Sequence, residues 1–210
     1  MSEITKSFLE ILNKVSDEII ANEELLTDLD RKIGDSDHGI NLKRGFGAIK
    51  EELPTFEELP VSDILNRCAM ILITKVGGAS GPLYGTAFMK AGMSLKGKTD
   101  EELADNAVLC KAFGEAVKGI KDRGKAEVGE KTMIDVLEPA FLEFEMAVDT
   151  GDKKQIMKQM VEKAKEKLDY TKTIAAKKGR ASYLGERSIG TEDPGAYSSY
   201  IILKTISENI

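Results

Sequence analysis

This 210-residue chain has one histidine, two cysteines and no long apolar run. Cys68 and Cys110 belong to no Cys-x-x-Cys pair, which excludes the usual zinc frameworks. Both fall in helical patterns, as buried reduced thiols of a cytosolic protein do. No stretch approaches the roughly 20 apolar residues of a membrane span. The opening residues Met1 to Ser7 lack the basic-then-apolar pattern of a secretory leader, so a cytoplasmic location is expected. A basic excess is missing as well. The net charge is -6, the pI is near 5.1, and the two signs are interleaved. A general nucleic-acid surface shows as clustered positive charge, and that partner is excluded. Alternating strand patterns, internal repeats and low-complexity tracts are also absent.

What is present is helical periodicity, in a chain whose length suits a single domain over 1–210. The first helix is expected from Thr5 to about Lys32, with a kink at Asn22. The second runs from His38 to Leu53 and closes at Pro54. Ser62 is the expected cap of a third, and Pro82 opens a fourth that ends at Gly97. Thr99-x-x-Glu102 is a capping box for a fifth helix reaching about Asp122. A sixth follows Gly129–Thr132 through Met133 to Val148, with Pro139 inside it. Asp149 to Asp152 reads as a turn. A charged seventh helix spans Lys153 to Lys178, with Gly179 after its end. The eighth covers Gly195 to Glu208, although Tyr200, Ile201, Ile202 and Ile206 also suit strands.

Eight helices and no sheet imply an all-α bundle. Short connections favour antiparallel neighbours. Odd-numbered connections then share one end: 34–37, 76–81, 124–130 and 179–194. These are the glycine-rich, charge-bearing loops. The even connectors are plain. Chemistry is therefore expected at one end.

The densest motif is Ile33-Gly34-Asp35-Ser36-Asp37-His38-Gly39-Ile40-Asn41, with Asp30 just upstream. Carboxylates packed this closely repel one another, and a hard divalent cation relieves the repulsion. Asp30, Asp35 and Asp37 are the candidate Mg²⁺ ligands; the plainer reading is an acidic turn with Asp37 capping the next helix. An EF-hand is excluded, because Ile40 and Phe46 occupy its glycine and glutamate positions. His38 and Asn41, one turn apart at a helix start, suit phosphate oxygens; a capping or core histidine is the ordinary alternative. Gly77-Gly78-Ala79-Ser80-Gly81-Pro82 offers backbone amides to an anion or, equally, close helix packing. Gly124 to Thr132 nearly spells a Walker A loop, but its lysine is one residue late and no strand precedes it. Met133 is core or a flat adenine contact, and Arg180 is a charge neutraliser or a helix-end cation.

Together these residues resemble a known family. Gly34-Asp35-x-Asp37-His38-Gly39-x-Asn41, Gly77 to Pro82, Arg123 to Glu127, Lys178 to Ser188 and Asp193-Pro194-Gly195 are similar to the motifs of the nucleotide-binding DhaL subunits of dihydroxyacetone kinases. The match spans nearly the whole chain in order. The resemblance implies a closed barrel of eight antiparallel helices with the nucleotide in the loops at one end. It implies two Mg²⁺ on Asp30, Asp35 and Asp37, and phosphates on His38, Asn41, Ala79 and Ser80. Gly39, Ile40, Gly78, Gly124, Met133, Arg180, Asp193, Pro194 and Gly195 complete the implied nucleotide site, with Arg180 as the catalytic group. Ser36 departs from the family, where glycine or alanine is common.

One branch of the family fuses this domain to a kinase domain and consumes ATP. In the other, a DhaL subunit keeps ADP, receives phosphate from a DhaM-type phosphohistidine protein of the phosphotransferase system, and passes it to dihydroxyacetone on a DhaK-type subunit. The length of the chain favours the second. Contact with a transcription regulator and a homodimer are further associations the family suggests. A separate reading, an all-helical Mg²⁺-dependent nucleotide pyrophosphatase, needs inward acidic pairs; Glu51, Glu52, Glu57 and Glu58 fall at the wrong end.

Overall fold

The computed structural model describes residues 2–149 and 152–210. Ten α-helices cover most of them, and no strand occurs among the described residues. They are α1 (Glu3–Ala21), α2 (Glu23–Ile33), α3 (His38–Glu52), α4 (Val61–Lys75), α5 (Ser80–Ser94), α6 (Asp100–Ala104), α7 (Asn106–Gly124), α8 (Ile134–Ala147), α9 (Lys153–Thr171) and α10 (Pro194–Glu208). Short 3₁₀ segments follow α3 at Leu53–Thr55 and precede α10 at Arg180–Ser188. No helix is long and apolar enough to cross a membrane.

Ten helices stand where eight are expected because two are broken by side chains that compete with the backbone. Asn22 Nδ2 donates to the Glu18 carbonyl at 2.8 Å and separates α1 from α2. Asp105 ends the short α6 and restarts the chain as α7, accepting from the Ala107 N–H at 2.8 Å. The capping box of Thr99 and Glu102 is formed in full. Ser62 is not a cap: α4 starts one residue earlier, behind an extended Pro60. α9 stops at Thr171 rather than Lys178, for a reason given below. Residues 198–206 are helical, within α10. The turn expected at 149–152 includes Thr150 and Gly151, which lie outside the described residues.

Helix packing follows chain order. α1 and α2 pack on α3, α3 on α4, α4 on α5, α5 on α7, α7 on α8, α8 on α9 and α9 on α10. α10 then returns to α1 and α2. The core between them is fully buried: Ile19, Leu26, Phe46, Ile49, Ile64, Leu72, Ile134, Ile156 and Met160. Cys68 and Cys110 are free and buried, and burial pushes the Cys68 thiol up to about 12.

Candidate functional site

The four glycine-rich loops meet in one cavity of about 430 Å³. That volume lies within the range of small-molecule sites. None of Glu51, Glu52, Glu57 or Glu58 lines it.

The acidic loop leaves α2 through Gly34. A Cβ on Gly34 would stand 2.0 Å from Asp30 Oδ1, so only glycine lets the chain turn over that carboxylate. Asp30 is buried in the last turn of α2. Its Oδ2 accepts from the N–H groups of Asp37 (2.8 Å) and His38 (3.1 Å). Asp30 therefore caps α3 from seven residues upstream. Asp37 sits at the N-cap position but makes no side-chain cap bond, so its carboxylate is not spent there. One oxygen from each of Asp30, Asp35 and Asp37 lies within 4.8 Å of the others. Three hard oxygen donors this close, one cradled against a glycine that admits no Cβ, fit Mg²⁺. Ser36 between them holds a left-handed φ of 66°. Arg180, across the cavity mouth, pairs with Asp35 at 2.7 Å between Nε and Oδ2.

His38 is buried, with both ring nitrogens on hydroxyls. Ser80 Oγ lies 3.0 Å from Nδ1 and Ser198 Oγ lies 2.9 Å from Nε2. Burial lowers its pKa to about 4, although the Asp30 carboxylate works against that. The ring is thus a neutral support that fixes Ser80, the first residue of α5. The chain of contacts continues from Ser198 Oγ to Tyr84 OH at 2.7 Å, and from there to Ser199 Oγ at 2.9 Å. Burial pushes the Tyr84 phenol up to about 12 and keeps it neutral.

The glycines of the second loop divide their work. A Cβ on Gly81 would meet the Val76 carbonyl at 2.2 Å, so Gly81 serves close packing. Gly78, at φ 64°, opens toward the Asp37 carboxylate, with 3.9 Å from its Cβ position to Oδ2. Ala79 and Ser80 line the cavity beside it. Gly124, Met133, Pro194 and Gly195 line it too, with Leu83, Ile120 and Ala126 adding an apolar wall. Asp193 caps α10, accepting from the Ala196 N–H at 2.7 Å. Burial and the nearby Asp135 carboxylate push Asp193 up to about 7.

Three residues expected in the site do not line the cavity. Gly39 packs on α2, where a Cβ would meet the Glu23 carbonyl at 2.1 Å. Ile40 faces outward and is exposed. Asn41 is buried, and its Oδ1 accepts from Arg44 Nη2 at 2.6 Å. Sequence reasoning in turn misses Tyr84, Asp135 and Ser198, while Lys131, singled out with the near-Walker loop, does line the cavity. For Asp135 a signal existed: Thr132-x-x-Asp135 ahead of an apolar run is a capping pattern, and Asp135 Oδ2 accepts from the Thr132 N–H at 2.7 Å.

The DAK2 domain family model matches residues 32–208. The chain belongs to this family. Among its relatives is "PEP-dependent dihydroxyacetone kinase 1, ADP-binding subunit DhaL" of Listeria innocua, 44% identical over 91% of this chain and 89% of that protein. "PTS-dependent dihydroxyacetone kinase, ADP-binding subunit DhaL" of Lactococcus lactis is 45% identical over 95% of each chain. The dihydroxyacetone kinase of C. freundii, solved in complex with AMP-PNP and Mg²⁺, superposes with a TM-score of 0.74 at 23% identity. That alignment covers 96% of this chain and 33% of the kinase, and it shows the all-helical fold. DAK2 relatives thus include stand-alone subunits of this chain's length and a domain within a longer kinase.

Proposed function

We propose that this chain is the ADP-binding, DhaL-type subunit of a phosphoenolpyruvate-dependent dihydroxyacetone kinase, acting as one nucleotide-binding domain in the cytoplasm. One observation carries the reading. A tight triad of carboxylates shares a cavity with the N-terminus of α5, a hydroxyl fixed by a neutral histidine, and an exposed arginine paired with one of those carboxylates. The two-way coverage of the DhaL subunits supports a separate subunit over an ATP-consuming fused kinase.

In this reading Asp30, Asp35 and Asp37 hold two Mg²⁺, which when bound screen phosphate charge. The backbone amides of Gly78 and Ala79 and the hydroxyl of Ser80 face the phosphates at a helix N-terminus. The apolar wall with Met133 receives the base. Arg180 brings positive charge to the transferring phosphoryl group. No residue of this chain forms a covalent bond to phosphate; positioning and charge do the work. A DhaM-type phosphohistidine protein supplies the phosphoryl group, and a DhaK-type subunit presents dihydroxyacetone.

The test is mass spectrometry of the native protein, followed by turnover with purified DhaK-type and DhaM-type proteins. Retained ADP with Mg²⁺, and dihydroxyacetone phosphate formed from phosphoenolpyruvate without added ATP, are expected. Turnover that needs stoichiometric ATP would reassign the chain to the ATP-dependent branch. Absence of any nucleotide affinity would defeat the reading.

A further inference from the structure

Lys131 is 1% exposed, deeper than any other lysine or arginine among the described residues. Its backbone is left-handed at φ 61°, a conformation costly for a non-glycine residue. Asp135 holds the turn in that shape. Its buried carboxylate accepts from the N–H groups of Gly129 at 2.6 Å and Thr132 at 2.7 Å, on either side of Lys131. The side chain so aimed ends among four backbone carbonyls. Nζ donates to Thr171, Ser188 and Thr191, each at 2.7 Å, and to Ile174 at 3.2 Å.

This is an unusual setting for a lysine. Its partners are carbonyl dipoles rather than carboxylates. An ammonium has three protons, so four acceptors leave it nothing to offer a phosphate. The residue lines the cavity, but its ammonium is committed to these carbonyls. A ring of backbone carbonyls is instead how proteins take a dehydrated monovalent cation. The carbonyls come from the last turn of α9 and from the segment that follows, which explains why α9 ends at Thr171: the Thr171 and Ile174 carbonyls turn to Lys131. The same segment carries Arg180 between Ile174 and Ser188, and it leads directly into Asp193. Further ties run with it. Lys177 N–H donates to the Glu130 carbonyl at 3.0 Å, and Gly190 N–H to the Lys172 carbonyl at 2.8 Å.

We propose that Lys131 is a positioning residue whose ammonium stands in for a monovalent cation, folding residues 172–192 into one piece and so setting Arg180 and Asp193 against the acidic loop. The consequence for nucleotide binding rests on the function proposed above; the folding of the segment does not.

The test compares wild type, Lys131→Ala and Lys131→Met by hydrogen exchange, calorimetry with MgADP and far-UV circular dichroism. Each is run in choline chloride and then with potassium or ammonium chloride. In choline, both variants are expected to keep their helicity and the protection of α4 and α5. Exchange within 172–192 rises roughly tenfold or more, and MgADP affinity falls roughly tenfold. Potassium or ammonium ions restore both in Lys131→Ala, where the ammonium's place is open. They do not in Lys131→Met, whose side chain fills it. Wild type responds to neither ion. Unchanged exchange in 172–192, absence of cation rescue in Lys131→Ala, or loss of helicity in both variants would overturn the proposal. A wild-type protein that fails to bind MgADP would defeat the functional reading, while the exchange arms still decide the role of Lys131.

Discussion

Arg180 Nε lies 2.7 Å from Asp35 Oδ2, joining the last of the four loops to the first. The arginine is 70% exposed, so the pair contributes little to stability. Its value is placement: a guanidinium held beside the carboxylates proposed to hold Mg²⁺. Arg180→Ala is expected to lower phosphoryl transfer by about 10²- to 10³-fold. The melting temperature and the affinity for MgADP change far less. Steady-state turnover beside calorimetry separates the two. An equal loss of affinity and rate would make Arg180 a ground-state binding residue instead.

Asp30 and Asp37 differ in a way a metal cluster alone does not require. Asp30 spends one oxygen on two N–H groups of α3, while Asp37 makes no cap bond. Asp30→Ala is expected to destabilise the metal-free protein by about 1–2 kcal/mol, the usual cost of a lost helix cap. Asp37→Ala is expected to leave that stability within about 0.5 kcal/mol. Both lose MgADP binding. Urea unfolding of the two variants, with and without Mg²⁺ and ADP, checks this. Equal destabilisation would show that Asp30 has no separate structural role.

Much of this was legible in the chain. Helix spacing, the capping box at Thr99 and the glycine-rich loops place the chemistry at one end, and the cavity gathers those loops. The limits are instructive. Asn22 and Asp105 break helices through side-chain hydrogen bonds that periodicity does not register. The end of α9 depends on carbonyls captured by Lys131, distant in sequence and unsignalled by composition. His38 reads as a phosphate contact or a core histidine, and in the structure both of its ring nitrogens are taken by serine hydroxyls. It is buried and neutral, yet it fixes the hydroxyl that lines the cavity. Asn41 and Ile40 share a motif with His38, but helical geometry turns them away from the cavity.

Ser36 bears a cost in stability. It holds φ 66° between Asp35 and Asp37, where a Cβ is unfavourable by about 1–2 kcal/mol. Ser36→Gly relieves that strain and loosens the unfolded chain by somewhat less. A net gain of about 0.5 kcal/mol is expected, with the same MgADP affinity. Thermal melts resolve it, and a loss of stability would mean that the Ser36 side chain makes a contact worth more than the strain.

Asp193 should leave a signature in pH. Its folded pKa is about 7 against an ordinary 3.8, because burial beside Asp135 disfavours the charge. A raised folded pKa means that the native state holds a proton the unfolded state has released. The associated stability is present below the unfolded value and is lost as pH rises through the folded one. The contribution falls by about 1.4 kcal/mol per pH unit across the window from roughly 4 to 7. Asp193→Asn keeps a competent cap for α10 but cannot titrate. Urea midpoints of the metal-free protein, followed from pH 4 to 8, are expected to decline more steeply in wild type than in Asp193→Asn. The difference should level off above roughly pH 7. Parallel profiles would mean that Asp193 titrates in its ordinary range, with Lys131 close enough to offset burial.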